Sequence, residues 1–305
     1  MLTPGATKRR TRGASPIRWQ SCIITPRIRA RRRTHGNKHR ATHHTGREDG
    51  TISATITWLG HASYRLTLPD ERVVLIDPWL KDNPSCPDSL VDVRRCDIIA
   101  LTHGHGDHTG DVARLVEQHD PLVIGNFELC NVLQSQIRAG RFSGMNTGGT
   151  QDVDGVRISL TAATHSSSVD GPDGPIYAGM PNGLVIAHDN LATIYHAGDT
   201  DVFGDMAIIA KLHAPAICIL PIGDHFTMGA KGAALAAELL KPRVILPCHY
   251  KTFPMLARSA DDLHAALSDA LEAALVVIDV GEVVTWSLTG VARRPSTEPS
   301  AGLRR

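Results

Sequence analysis

An apolar run, Asp97-Ile98-Ile99-Ala100-Leu101-Thr102, is followed at once by His103-Gly104-His105-Gly106-Asp107-His108-Thr109-Gly110. Positions 103–108 hold three histidines and one aspartate. A continuous apolar run suits a strand covered on both faces. A loop leaving such a strand at its carboxyl end opens onto the crevice where ligands bind in layered α/β proteins. The fold must therefore bring this loop to a sheet edge, with several imidazoles free to converge. Imidazole nitrogen and carboxylate oxygen together suit zinc, and also manganese, iron or nickel. The alternation at 103, 105 and 107 fits an extended loop, and Gly104 and Gly106 let the backbone fold around an ion. A histidine-rich polar surface loop is the ordinary alternative, and four donor side chains directly behind an apolar strand make it the weaker one.

The rest of the body, from about Thr51, mixes strand and helix patterns. Segments 55–59, 62–68 and 72–76 read as a meander of three short strands, with a turn at Pro69-Asp70-Glu71. Segments 156–162, 184–187, 192–196, 217–221 and 244–247 read as further strands, and 282–288 as a closing one. Apolar spacing predicts helices over 111–119, 127–137, 230–240 and 261–274, the third stopped by Lys241-Pro242. Strands first and helices interleaved later imply an α/β (α+β) protein, with layered sheets and helices outside.

Of the 305 residues, 42% are hydrophobic and 21% charged, enough for a sizeable core. A formal net charge of +1 hides a split. Residues 1–50 carry 13 Lys and Arg against 2 Asp and Glu, whereas residues 51–305 are net −10. The first 50 residues lack apolar periodicity and are expected to be a disordered basic extension. Such a stretch could be a transit peptide, a nucleic-acid-binding arm or an upstream extension without a role, and the last is preferred. Residues 51–290 form the expected domain, and 291–305 a second disordered tail. The acidic body argues against nucleic acid as a partner. No run of about 18 apolar residues appears, so no transmembrane helix is expected. Six scattered cysteines without a C-x-x-C pair make neither a disulfide framework nor a Cys-type zinc site, and fit a reducing, cytoplasmic location.

His103-x-His105-x-Asp107-His108 resembles the metal motif of the metallo-β-lactamase superfamily. Ala163-Thr164-His165 resembles its third-histidine position. Tyr195-His196-Ala197-Gly198-Asp199-Thr200 resembles the segment that carries a bridging aspartate, and Pro247-Cys248-His249-Tyr250 the last-histidine position. Asn126-Phe127-Glu128-Leu129, Met145-Asn146-x-Gly148-Gly149, Pro221-Ile222-Gly223-Asp224-x-Phe226-Thr227-Met228-Gly229 and Thr252-Phe253-Pro254 resemble one subgroup of metal-dependent hydrolases, akin to the L-ascorbate-6-phosphate lactonases. The resemblance spans residues 54–270 and leaves the first 50 outside it.

The resemblance implies a four-layer αββα sandwich with two divalent metal ions in a cleft at one edge. Zinc is favoured, with manganese, iron or nickel admitted. It implies that His103, His105 and His165 hold one ion, that Asp107, His108 and His249 hold the other, and that Asp199 bridges them. A hydroxide between the ions would then attack a small-molecule, ester-like substrate, a lactone or other carboxylic ester being favoured. Phosphodiester or thioester hydrolysis on the same fold is the alternative. An iron oxidoreductase is less favoured, because such relatives typically carry a carboxylate where His105 stands. A homo-oligomer is admitted.

Asp107 is also a catalytic candidate, as the group that orients the water or takes its proton. His61, after Gly60 at a strand end, is a second: a proton donor or hydrogen-bonding partner lining the cleft, or a turn histidine with a structural role. The sequence leaves both open. Asp77-Pro78-Trp79 resembles the superfamily's early aspartate, expected to brace the histidine loop as a hydrogen-bond acceptor. His225 stands where the subgroup usually has asparagine. It could replace that residue's hydrogen bond, add a metal contact or change substrate preference. Cys248 reads as a small buried strand residue, and His119, His188, His213 and His264 as ordinary surface or packing residues.

Overall fold

Short segments rich in Val, Ile and Leu, bounded by turn residues, build most of the strands. The computed structural model describes residues 54–293, and the expectations for 1–50 and 294–305 lie outside them. β1 (Ala54–Trp58), β2 (Tyr64–Thr67) and β3 (Val73–Ile76) form the antiparallel meander. After a short α1 (Asp88–Val91), β4 (Ile98–Ala100), β5 (Leu122–Asn126) and β6 (Arg141–Met145) add in parallel. α2 (Gly106–Thr109) and α3 (Val112–His119) lead from β4 to β5, and α4 (Phe127–Ile137) leads from β5 to β6.

The second sheet begins with β7 (Thr150–Val153) and β8 (Val156–Ala162). A separate hairpin of β9 (Ser168–Gly171) and β10 (Gly174–Tyr177) intervenes before β11 (Asn182–His188) and β12 (Ile194–His196). α5 (Met206–His213), β13 (Ile217–Pro221), α6 (Ala230–Leu240) and β14 (Val244–Cys248) follow, with β12, β13 and β14 parallel. α7 (Asp261–Ala266) and α8 (Asp269–Glu272) precede β15 (Val283–Ser287) and β16 (Gly290–Arg293), which rejoin the first sheet beside β1. The sheet orders are β16-β15-β1-β2-β3-β4-β5-β6 and β14-β13-β12-β11-β8-β7.

Ile56, Leu66, Val74 and Ile76 of the first sheet share one core with Ile158, Leu160, Leu184 and Ile219 of the second. Each side chain so buried contributes about 1.5–3 kcal/mol relative to exposure. Leu115, Val116, Leu129 and Leu133 of α3 and α4 cover Leu75, Ile99 and Val123 on the first sheet's other face. Met206, Ala233, Ala237 and Leu240 of α5 and α6 join the core from the second sheet's side. The result is the four-layer αββα arrangement. β4 is buried on both sides, Ile98 and Ala100 toward one core and Ile99 toward the other, as its continuous apolar run requires.

Two expectations are corrected. The helix over 261–274 is broken: Leu267 adopts ψ 146, and the chain restarts as α8 behind Ser268. The sheet also runs on past 290, into the expected tail. Ser287 pairs with Gly290 across a two-residue turn, Val291 pairs with Trp286, and Arg293 is held by Glu282 at 2.9 Å. Among the described residues, no helix is long and apolar enough to cross a membrane.

Candidate metal centre

The strand directions explain why the candidate ligands meet. β1, β3 and β4 end at one edge of the first sheet, since β2 is antiparallel to both β1 and β3 and β4 is parallel to β3. β8, β12 and β14 likewise share a direction in the second sheet. His61 follows β1, Asp77 follows β3, His103 follows β4, His165 follows β8, Asp199 follows β12 and His249 follows β14. Six carboxyl ends thus supply one site, where open α/β sheets bind ligands.

Asp199 lies at the centre. Its Oδ2 is 3.1 Å from His249 Nε2, 3.2 Å from His108 Nε2, 3.7 Å from His165 Nε2 and 3.9 Å from His103 Nε2. Asp199 Oδ1, His108 Nε2 and both ring nitrogens of His249 are buried without a hydrogen-bond partner. Each such orphan costs about 1–3 kcal/mol, and a cation among them would satisfy several together. Donor atoms of His103, His105 and His165 lie within 4.8 Å of one another, as do those of His61, Asp107, His108 and His249. The first group is the set expected for one ion. The second contains the set expected for the other, with His61 added. Asp107, with its side chain 30% exposed, His105 and His165 are the partly exposed members of the site.

The 103–108 loop differs from the extended form expected. His105 is extended, but α2 begins at Gly106, and the His108 and Thr109 amides donate to the His105 carbonyl. One helical turn therefore carries Asp107 and His108. Gly104 serves close approach rather than wrapping: a Cβ there would lie 2.9 Å from the Ser168 carbonyl and 3.0 Å from the Ala178 side chain. Gly198, at φ +66, passes under the centre where a Cβ would meet Asn182 O at 2.7 Å.

Asp77 has the bracing role expected of it. Its Oδ1 accepts from the Thr102 amide at 2.8 Å. Its Oδ2 accepts from the Thr102 hydroxyl at 2.6 Å and from His108 Nδ1 at 2.8 Å. With its hydroxyl proton given to Asp77, Thr102 Oγ1 accepts from His103 Nδ1 at 3.0 Å. Both histidines are thereby held with their Nε2 atoms turned inward.

The charges are strongly coupled. Burial pushes Asp199 up, but His108 and His249 outweigh it and hold the carboxyl well below its ordinary value. Burial pulls His108 down, yet Asp199 and Asp77 on either side hold it well above. His103 is lowered well below 6.5 by burial and by His108. Burial lowers His61 to about 4, against the opposing hydrogen bond to Asp107.

His61 is fully buried, with Nδ1 2.9 Å from Thr252 Oγ1 and Nε2 3.1 Å from Asp107 Oδ2. Of the partly exposed residues of the site, it is hydrogen-bonded to Asp107. His225 is exposed, packs on Phe226 at 4.6 Å and belongs to none of the donor groups. Cys248 is fully buried in β14. Sequence reasoning gave no role to Thr102 or Thr252, nor to Trp79 and Phe253, whose rings stand 5.3 and 5.7 Å from His61. The Asp77-Pro78-Trp79 and Thr252-Phe253-Pro254 motifs contain three of them, without assigning them a role.

Residues 72–250 match the family described as the beta-lactamase superfamily domain. The chain is 42% identical over 235 residues to a UPF0173 metal-dependent hydrolase of Koribacter versatilis, covering 76% of this chain and 97% of that protein. It is 44% identical over 234 residues to one of Azorhizobium caulinodans, covering 74% and 98%. Among solved structures it is similar to Igni18, a metallo hydrolase of Ignicoccus hospitalis, with 33% identity, a TM-score of 0.67 and coverage of 76% and 98%.

Proposed function

The chain belongs to the beta-lactamase superfamily and is a metal-dependent hydrolase, and from that premise we propose that it holds two divalent ions, zinc favoured, and cleaves a small ester-like substrate, first a lactone or other carboxylic ester. The observation that carries this reading is the convergence of four imidazole Nε2 atoms on Asp199 Oδ2, at 3.1, 3.2, 3.7 and 3.9 Å. His103, His105 and His165 would hold one ion, Asp107, His108 and His249 the other, and Asp199 both. When bound, such ions supply a water acidified to near neutrality and positive charge for a developing oxyanion.

The chain's own groups do the rest. Asp107 is partly exposed, so its carboxylate can take a proton from the attacking water and return it to the leaving alkoxide. Trp79 and Phe253, 5.9 Å apart, pack against the ring of His61, the partner of that carboxylate. Phe226, three residues after Gly223, and Met255, two after Phe253, are exposed apolar side chains. Such groups suit a substrate with an apolar part. Among the described residues, cysteines 86, 96, 130, 218 and 248 are buried and free, which fits a reducing, cytoplasmic location.

The experiment is a hydrolysis screen of lactones, phosphodiesters and thioesters, with metal measured on the same preparation. Metal-dependent lactone or carboxylic ester turnover is expected. Turnover confined to phosphodiesters or thioesters would overturn the ester assignment.

A further inference from the structure

The edge of the second sheet opposite the candidate metal centre carries a groove. β12, β13 and β14 are parallel, and Asp199 and His249 follow the carboxyl ends of the first and the third. Ala214, Pro215 and Ala216 lead into β13, and Lys241, Pro242 and Arg243 lead into β14, so both segments stand at the amino ends. The extended run from Arg243 to His249 spans about 20 Å. One small molecule does not reach both.

α5 and α6 end at this edge in left-handed caps, Ala214 at φ 43 and Lys241 at φ 52. The Ala216 carbonyl joins the two turns by accepting from the Arg243 and Val244 amides. Between them lies a groove of about 620 Å³, a size usual for small-molecule sites. It stays open because α5 presents alanine at 207, 210 and 214, spaced to share one helix face. Leu239 and Leu240 of α6 line the same groove, so its walls are apolar.

Three cations complete the lining: Lys211 from α5, Lys241 from the cap of α6 and Arg243 from the turn into β14. Arg72, Arg95, Arg114, Arg141, Arg157 and Arg293 each pair with a carboxylate. Lys211, Lys241 and Arg243 form no such pair among the described residues. Glu238, on α6 before Lys241, is exposed and does not line the groove. Basic side chains at helix carboxyl ends ordinarily offset the helix dipole. Two such ends carry about one negative charge together, so three cations leave about two positive charges over. Arg243 stands beyond the helix. Its Nη2 donates to the Leu288 carbonyl at 2.9 Å, which steadies the guanidinium and leaves further N–H donors. The chain's own remaining segments are basic and do not supply the anion. Residues 1–50 hold 13 Lys and Arg against 2 Asp and Glu, and 294–305 hold Arg294, Arg304 and Arg305 against Glu298.

We propose that this groove is a second ligand site, independent of the metal centre, for a small amphipathic anion: a carboxylate or phosphate on a short apolar chain. The apolar chain displaces water from the alanine and leucine walls. The anionic end lies among Lys211, Lys241 and Arg243, where a guanidinium can pair two N–H donors with either acid group.

The test is calorimetric titration of full-length, chelator-stripped protein with octanoate, octyl phosphate and octanol. Stripping keeps anion binding at the metal centre out of the measurement, so failure here leaves the two-metal reading standing. Saturable binding of octanoate or octyl phosphate is expected, weakening as salt rises. The stronger of the two identifies the acid group, and octanol should bind about tenfold or more weakly. The double variant Lys211→Gln, Arg243→Gln changes only exposed side chains, and should bind the anion about tenfold or more weakly at unchanged Tm. Ala207→Leu, at an exposed helix position, should weaken it as well by filling the apolar wall. Octanol bound as tightly as the anions, or full affinity in the double variant, would overturn the proposal. So would no saturable binding of either anion, whether the protein is then retained on anionic vesicles or forms a dimer that the same substitutions disperse.

Discussion

Asp77 and His108, neither exposed to solvent, are joined by an Nδ1–H···Oδ2 bond of 2.8 Å. That bond keeps the proton on the outer nitrogen of His108 and turns Nε2 toward Asp199, 3.2 Å away. The same carboxylate takes both the amide and the hydroxyl of Thr102. Asp77→Asn keeps the size but puts an N–H donor among groups that need acceptors. Metal affinity should fall about 10- to 100-fold, and thermal stability should fall too. Chelator competition and a thermal melt measure both. Wild-type affinity in Asp77→Asn would show that the brace does not tune the ligands.

Asp107 is expected to matter for chemistry more than for folding. Asp107→Asn removes the charge while keeping an oxygen that His61 can still reach. With metal saturating, so that lost occupancy is not read as lost chemistry, kcat should drop about 100-fold or more. A rate near wild type under those conditions would remove Asp107 from the proton-transfer steps.

The metal-stripped protein should lose stability on mild acidification. Burial lowers His61 to about 4, and His103, His105, His165 and His196 are also lowered, each chiefly by burial. Between pH 6.5 and 4 the unfolded chain binds protons at these rings that the folded chain refuses, so stability falls as pH falls. His108 acts in the opposite sense. Its raised value gives stability that is present below 6.5 and lost as pH rises through it. Asp107 and Asp199 are lowered, so their contribution is lost only below the ordinary carboxylate range. Five lowered rings outweigh one raised ring. Tm measured in chelator should therefore decrease steadily from pH 6.5 to 4.5, and a Tm that rises across that window would contradict the arrangement of charges.

What could be read from the sequence follows the strength of local signals. Ile98-Ile99-Ala100-Leu101 is apolar without interruption because β4 is covered on both faces. α4 spans the residues its spacing predicts, with the Asn126 side chain accepting from the Glu128 amide at its start and Arg138 left-handed at its end. β6 and β7 were missed, since Arg141–Met145 and Thr150–Val153 are largely exposed and little selected for apolar alternation. The turn of α2 is hidden by Gly106, which looks like loop material. The candidate histidines were legible from spacing and resemblance. Thr252 was not, because its place in the site depends on a contact with a residue 191 positions away. A threonine carries no local mark of such a contact.

The proposed chemistry depends on a two-ion centre built around Asp199. Its most direct test is the metal content of protein purified without chelator, for wild type and for His165→Ala, His249→Ala and Asp199→Ala. Wild type should hold about two equivalents of transition metal per chain, each histidine variant about one, and Asp199→Ala less of both. A well-folded, active wild-type protein free of metal would contradict the account.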